Sequence, residues 1–205
     1  MKNRRRFLIS IGSALGAALA LSACATDQPL PGPVAQVGFA HMPPIIFNVA
    51  RVDVSSEYKS PMQAPNAEQR LPTPPERARF DWALARLQAN PGPDVTALGA
   101  FVIEDASVIE TTLAKSTGFK GLMTYEPAER YDASAIARFT IEDPQTGQRG
   151  SIRATAARSI EVRENATLAE REQAWVELVE KLMADFNAQM ETQSQTYLDT
   201  WFIRR

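Results

Sequence analysis

Four stretches of the chain alternate apolar and polar residues, which is typical of half-buried β-strands. They span residues 45–58, 99–113, 131–143 and 150–162. The third stretch places one set of side chains toward a core: Tyr131, Ala133, Ala135, Ala137, Phe139 and Ile141. Because the inward residues of the third and fourth stretches are largely alanine, the pattern predicts a closely packed helix above them.

Two other stretches repeat apolar residues with helical spacing. The first is predicted to begin at a capping box, Thr73 to Glu76, and to run to about residue 89. Its expected inward stripe is Phe80, Ala83, Leu84 and Leu87. The second begins at a capping box from Thr167 to Glu170 and contains no Pro or Gly up to residue 202. Its expected stripe is Leu168, Trp175, Val179, Leu182, Phe186 and Met190.

The order β-α-β-β-β-α predicts one α+β domain over residues 45–205. In this fold class, two helices cover one face of a mostly antiparallel four-stranded sheet. Residues 24–44 precede it with five prolines after residue 24, and such a composition predicts an extended tether.

The N-terminus has the layout of a secretory signal peptide, predicted to span residues 1–23. Basic residues come first, and an apolar run rich in Ala and Gly follows from residue 7 to residue 23. A membrane-spanning helix needs about 20 predominantly apolar residues, so this run suits a cleaved signal better than a permanent span.

The end of this signal carries the only cysteine of the chain. Leu21, Ser22, Ala23 and Cys24 resemble the lipobox of bacterial prolipoproteins. The resemblance implies a diacylglycerol thioether on Cys24, cleavage before it, and acylation of the freed amine with a fatty acid such as palmitate. Ala25 follows where Asp would imply retention in the inner membrane. The expected location is therefore the periplasmic face of the outer membrane.

A second resemblance overlaps the signal. Arg4 and Arg5, followed after one residue by Phe7 and Leu8, are similar to a twin-arginine export signal, which a receptor reads as an address. The alternative is an ordinary basic region that serves the general secretion route.

Charge and residue types exclude several classes of function. Without residues 1–23 the chain has 18 Lys and Arg against 24 Asp and Glu, a net charge of −6, which argues against nucleic acid as a partner. His41, the only histidine, lies in the predicted tether, where nothing fixes an imidazole for catalysis. Glu104 and Asp105 face opposite sides of a strand, and one is expected to pair with an arginine across the sheet. We therefore expect no enzyme, no metal and no cofactor.

Residues 115–127 join the second and third predicted strands and contain two glycines and several apolar residues. Apolar side chains on a loop often mark a partner surface, and the alternative is a lid over the open edge of the sheet. The predicted partner surface combines this segment with the aromatic C-terminal end: Phe119, Leu122, Met123, Tyr125, Tyr197, Trp201 and Phe202.

The stretch HMPPIIFNVARVDVSSEYKSPMQAP, with LPTPPERA after it, resembles uncharacterised envelope lipoproteins of proteobacteria. The element order is also similar to that of small envelope lipoproteins that assist lipid or lipopolysaccharide transport. Together they suggest a non-enzymatic, membrane-anchored accessory subunit that docks on an envelope assembly. The alternative is a periplasmic lipoprotein that binds a lipid or a small ligand between sheet and helices.

Overall fold

The computed structural model describes residues 37–113 and 127–204, and these contain seven strands, two α-helices and one short 3-10 helix. The strands are β1 (Ile45–Phe47), β2 (Arg51–Ser56), β3 (Leu87–Ala89), β4 (Leu98–Asp105), β5 (Val108–Thr112), β6 (Pro127–Glu142) and β7 (Arg149–Arg163). The helices are α1 (Pro75–Arg86) and α2 (Leu168–Tyr197). The predicted signal, the lipobox with Cys24, residues 25–36 of the predicted tether and all but the last residue of the predicted partner loop lie outside the described residues.

The main sheet has five strands of mixed orientation, so the predicted four-stranded, mostly antiparallel layout is corrected. β2 runs parallel to β4, whereas β4, β5 and β7 all pair antiparallel with β6. β7 follows almost the whole of one edge of the long β6 strand, and β4 and β5 share the other edge in succession. A second, two-stranded parallel sheet joins β1 to β3.

Two predicted strands are each divided in two by a local turn. Residues 45–58 form β1 and β2, because the chain turns tightly where the Val49 N–H donates to the Phe47 carbonyl at 2.9 Å. Residues 99–113 form β4 and β5, because Asp105 Oδ1 accepts from the Ser107 N–H at 3.1 Å. An aspartate that bonds the backbone two residues on favours a turn over a continued strand.

The inward face of the sheet is confirmed. All six inward residues predicted on β6 are buried, and Ala154 and Ala156 of β7 are buried beside them. α2 packs on β7 and β6, as the small side chains predicted. Its stripe from Trp175 to Met190 is buried, whereas Leu168 is exposed.

The two helix starts differ from each other. At α2 the capping box is confirmed, since the Thr167 hydroxyl accepts from the Glu170 N–H and the Glu170 carboxylate accepts from the Thr167 N–H. At α1 the predicted capping box is wrong: Pro74 is the N-cap residue and no side chain caps the helix. The predicted inward stripe of α1 is confirmed only in part: Ala83 and Leu87 are buried, Phe80 is half-buried and Leu84 is exposed. The buried residues of the helix are Pro75, Ala78, Arg79, Trp82, Ala83 and Arg86. The predicted end near residue 89 is also corrected, since α1 ends at Arg86 and Leu87–Ala89 form β3.

Within the part of the chain that the structure describes, neither helix has the length and apolar character needed to cross a membrane.

Candidate functional site

The predicted partner loop starts and ends on two adjacent strands. Its apolar residues Phe119, Leu122, Met123 and Tyr125 lie outside the described residues, but the flanking strands are described. The Leu113 N–H, just after β5, donates to the Ala128 carbonyl at the start of β6 at 2.8 Å. The two ends of the segment therefore lie side by side at one end of the sheet.

Five polar side chains form a cluster at this position, which we call the loop-base cluster: Arg70, Glu110, Glu129, Tyr131 and Arg171. The Tyr131 hydroxyl donates to Glu129 Oε2 at 2.7 Å, lies 3.2 Å from Glu110 Oε1 and accepts from Arg171 Nη1 at 3.1 Å. Arg171 also pairs with Glu129, and Arg70 pairs with Glu110. The cluster thus ties α2 and the 3-10 helix (Glu68–Arg70) to the strands that flank the loop.

Two aromatic rings pack against each other and against Arg70 of the loop-base cluster. The rings of Tyr131 and Trp175, both buried, meet edge to face with centroids 5.5 Å apart. The guanidinium carbon of Arg70 lies 5.9 Å from the centroid of each ring. A cation this close to an aromatic face is attracted by the ring, so Arg70 is held by both rings as well as by Glu110.

Two pKa shifts in the cluster keep Glu129 ionised and Tyr131 protonated at neutral pH. Burial acts to raise the pKa of Glu129, but the bonds from Tyr131 and Arg171 outweigh it, so its pKa lies below the ordinary value of 4.5. Burial and the bond to Glu129 raise the pKa of Tyr131 to about 12. At neutral pH the phenol is therefore a donor and the carboxylate is ionised. This arrangement fixes structure and offers no group poised for proton transfer.

Stability is expected to fall in acid because of Glu129. A carboxyl whose pKa is lower in the folded state stabilises the fold above its unfolded pKa, and this contribution is lost as the pH falls through the folded value. Glu129→Gln removes the contribution, so its free energy of unfolding should depend less on pH below 4.5 than that of the unaltered protein. Urea unfolding across the acid range measures this. Glu57→Gln, at an exposed position, is the matched control; equal pH slopes for Glu129→Gln and the unaltered protein would contradict the account.

A second polar cluster surrounds Glu68, which is only 4% exposed. Its Oε1 accepts from the Tyr58 hydroxyl at 2.6 Å and from the Ser60 hydroxyl at 2.5 Å, and its Oε2 accepts from the Val108 N–H at 3.3 Å. Burial acts to raise the pKa of Glu68, but these bonds lower it on balance. The cluster fastens the proline-rich loop after β2 to β5. The sequence does not predict this cluster, because one glutamate outside the predicted helices and strands carries no periodic signal.

Two arginines lie in the interior on the inward side of α1. Arg79 is fully buried, and its Nη1 lies 3.5 Å from the Ser134 carbonyl of β6, beside the point where β4 passes into β5. Its Nε and Nη2 atoms have no hydrogen-bond partner among the described residues. Burial lowers the pKa of Arg79 to about 10, so it remains charged at neutral pH.

Arg86 and Trp82 connect the two helices through one amide. Asn187 Oδ1, on α2, accepts from Trp82 Nε1 at 2.9 Å and from Arg86 Nε at 3.2 Å. Arg86 also pairs with Glu191 one turn further along α2. These contacts hold α1 and α2 in one relative position, which is a structural role.

The aromatic C-terminal end packs on the domain over most of its length. Tyr197 is 65% exposed, whereas Trp201 and Phe202 are half-buried. The Phe202 ring meets Phe47 with centroids 6.1 Å apart. A Cβ atom on Gly150 would lie 2.6 Å from the Trp201 ring, so this position needs a glycine for the close approach. Of the three residues predicted for the C-terminal surface, Tyr197 exposes most of its side chain.

The remaining candidate residues have ordinary surroundings. Glu104 pairs with Arg138 at 3.2 Å and with Arg153 at 2.6 Å, which confirms the predicted cross-sheet arginine. His41 is exposed and lines a cavity of about 260 Å³ beside α2. Within residues 37–113 and 127–204, no group of His, Cys, Asp and Glu is placed to hold a metal ion.

No model of a known protein family matches the chain, and no curated protein matches it. Among solved structures it resembles a minor lipoprotein from Acinetobacter baumannii, with 16% identity and a TM-score of 0.36 over 76% of this chain and 97% of that one.

Two further structures resemble the chain. A DUF330-family protein from Xanthomonas campestris has 12% identity and a TM-score of 0.28 over 76% of this chain and 94% of that one. A proposed lipoprotein from Caulobacter crescentus has 12% identity and a TM-score of 0.26 over 69% of this chain and 91% of that one. At these identities and TM-scores the resemblances transfer neither family nor function to this chain.

Proposed function

We propose that this chain is a non-enzymatic lipoprotein of the bacterial envelope. In this proposal acylated Cys24 anchors it to a bilayer, with the outer membrane as its destination. The domain serves as an accessory subunit that docks on a larger envelope assembly, of the kind that moves lipid or lipopolysaccharide. The lipobox resemblance supports the anchor, and the geometry at the base of the 115–127 segment supports the docking role.

The observation that carries the docking role is the loop-base cluster. Surface loops that bind partners are usually positioned by a rigid scaffold. Here both flanking strands are tied by ion pairs, Arg70 with Glu110 and Arg171 with Glu129, and Tyr131 links the two pairs. The described residues on either side of a segment with several apolar side chains are thus firmly held.

The absence of catalysis is part of the proposal, and the chemistry of the clusters supports it. Glu68 and Glu129 each accept several hydrogen bonds from their own chain, and the raised pKa of Tyr131 keeps its phenol protonated. Charges used in this way stabilise the fold and leave no free nucleophile or base at these positions.

Replacing Phe119 and Leu122 with Ser tests the docking surface. We expect the double variant to lose an envelope partner that crosslinking and affinity purification recover with the unaltered protein, because the apolar contacts of the loop are removed. Leu84→Ser is the matched control, since Leu84 is an apolar side chain 68% exposed on α1. Equal recovery of the partner with both variants, or no partner with the unaltered protein, would contradict the docking role.

A second candidate function is the binding of a lipid or small ligand. The cavity of about 260 Å³ favours it, since apolar Val37, Phe39 and Met183 line it together with polar His41 and Asn187. The alanine-rich packing between α2 and the sheet weighs against a larger pocket there. Native mass spectrometry of protein purified from envelopes distinguishes the two functions, because a stoichiometric co-purified lipid would rank this candidate first.

A further inference from the structure

A cavity of about 260 Å³ lies between α2 and residues 37–42, which belong to the predicted tether. Its walls are mainly apolar and include Phe39, which is 7% exposed, and Met183 of α2, which is 1% exposed. Residues 37–42 keep their shape through a turn in which the Met42 N–H donates to the Phe39 carbonyl at 3.0 Å. Sites for small molecules are typically concave and apolar, with a few polar groups at defined positions.

Asn187 supplies a polar group of fixed orientation to this cavity. The residue is only 7% exposed, and it lines the cavity wall. Its Oδ1 accepts from Trp82 Nε1 at 2.9 Å and from Arg86 Nε at 3.2 Å. Indole and guanidinium N–H groups can only donate, so these two bonds fix which end of the amide faces α1. The end of Asn187 that is left to the cavity is therefore its NH₂ group, which is a hydrogen-bond donor.

The charges around the cavity favour an uncharged ligand. Among the described residues that line it there is neither Lys nor Arg, whereas Glu180 contributes a carboxylate. His41 also lines the cavity, but it is exposed to solvent. A ligand carboxylate that entered the apolar part would lose its hydration without gaining a buried cation as a partner. The cavity therefore selects a neutral molecule that offers an acceptor to Asn187.

The dimensions of the cavity limit the size of this molecule. A water molecule takes up about 30 Å³ in the liquid, so 260 Å³ holds roughly nine groups of that size. Glu180, Ala184 and Asn187 all line the cavity, and their spacing of four and three residues places them along one side of α2. At 1.5 Å per residue they cover about 10 Å of the helix. A short, linear ligand fits this volume and this length.

We infer that the cavity binds a short acyl group that carries an uncharged carbonyl, as an amide or an ester. The carbonyl oxygen accepts from Asn187 Nδ2, and the hydrocarbon chain packs against Phe39 and Met183. This inference gives a ligand class to the second candidate function. It uses no residue of the loop-base cluster or of the 115–127 segment, so it does not rest on the docking role.

Titration of the full acylated protein in phospholipid nanodiscs with N-methylhexanamide and with methyl hexanoate tests the inference. Both probes match the size of the cavity, and the one that binds more tightly distinguishes an amide source from an ester source. With isotope-labelled methionine methyl groups, we expect saturable NMR shifts at Met42 and Met183, which line the cavity, and none at Met190. Hexanoate has the same chain but a charged head, and it should bind at least about tenfold more weakly.

Asn187→Asp separates the proposed donor from the contact between the helices. The carboxylate can still accept from Trp82 and Arg86, so α1 and α2 should stay joined, but the donor to the ligand carbonyl is lost. Binding of both uncharged probes should fall by roughly tenfold or more, while the circular dichroism spectrum stays the same.

Ala184→Phe gives a second, independent measurement, because it fills the cavity from an exposed position of α2 and should abolish binding. Ala188→Phe is the matched control, since Ala188 is exposed one turn further along α2 and does not line the cavity. The inference is overturned if neither uncharged probe gives saturable shifts, if hexanoate binds equally well, or if Ala184→Phe binds like Ala188→Phe. Loss of the envelope partner with intact probe binding would affect the docking role alone.

Discussion

Cys24→Ser is expected to abolish the incorporation of labelled fatty acid and to leave residues 1–23 attached to the chain. Serine offers a much weaker nucleophile than a thiol, so no thioether forms and the lipobox peptidase receives no substrate. Each buried methylene of an acyl chain contributes about 0.8 kcal/mol to membrane binding, and two or three chains make attachment stable. The change should therefore remove the whole lipid-dependent anchor. Metabolic labelling and electrophoretic mobility measure both effects.

Ser22→Ala is the matched control for this experiment, because a small residue replaces a small residue beside the cleavage position. It should be labelled and cleaved like the unaltered protein. Labelling that persists in Cys24→Ser would show that the fatty acid is attached elsewhere and would contradict the proposed anchor.

Trp82→Ala is expected to destabilise the domain by about 3–5 kcal/mol, the usual cost of removing a large buried aromatic side chain. Trp82 is fully buried, and its ring lies 5.7 Å from Phe101 and 5.1 Å from Phe186 between centroids. The change also removes the bond from Trp82 Nε1 to Asn187 and leaves that amide with the Arg86 bond alone. The contact between α1 and α2 should weaken as a result.

Urea unfolding, followed by circular dichroism, measures this loss. Leu84→Ala on the same helix is the matched control, because an exposed side chain contributes little and the expected change is within about 0.5 kcal/mol. If the two variants lost the same amount of stability, α1 would not pack as described.

Part of the fold follows directly from the sequence. The alternation on β6 predicted the buried face from Tyr131 to Ile141, since one face of this strand meets the core and the other does not. The capping box at Thr167 predicted the start of α2, because both of its bonds are local. Such features depend on neighbours within a few residues.

Other features depend on distant parts of the chain, and the sequence did not reveal them. Arg79 and Arg86 occupy inward positions of α1. Because arginine is not apolar, the spacing of apolar residues places the inward face of the helix too close to Leu84. The parallel pairing of β2 with β4 was also missed, because strand order leaves no local signal. The loop-base cluster joins residues from four separate elements, and only the three-dimensional arrangement unites them.

The intact mass of the protein purified from envelopes tests the central claim most directly. The account predicts a chain that begins at Cys24 and carries a diacylglycerol and an additional acyl group. An intact chain that still carries residues 1–23 and an unmodified thiol would contradict it.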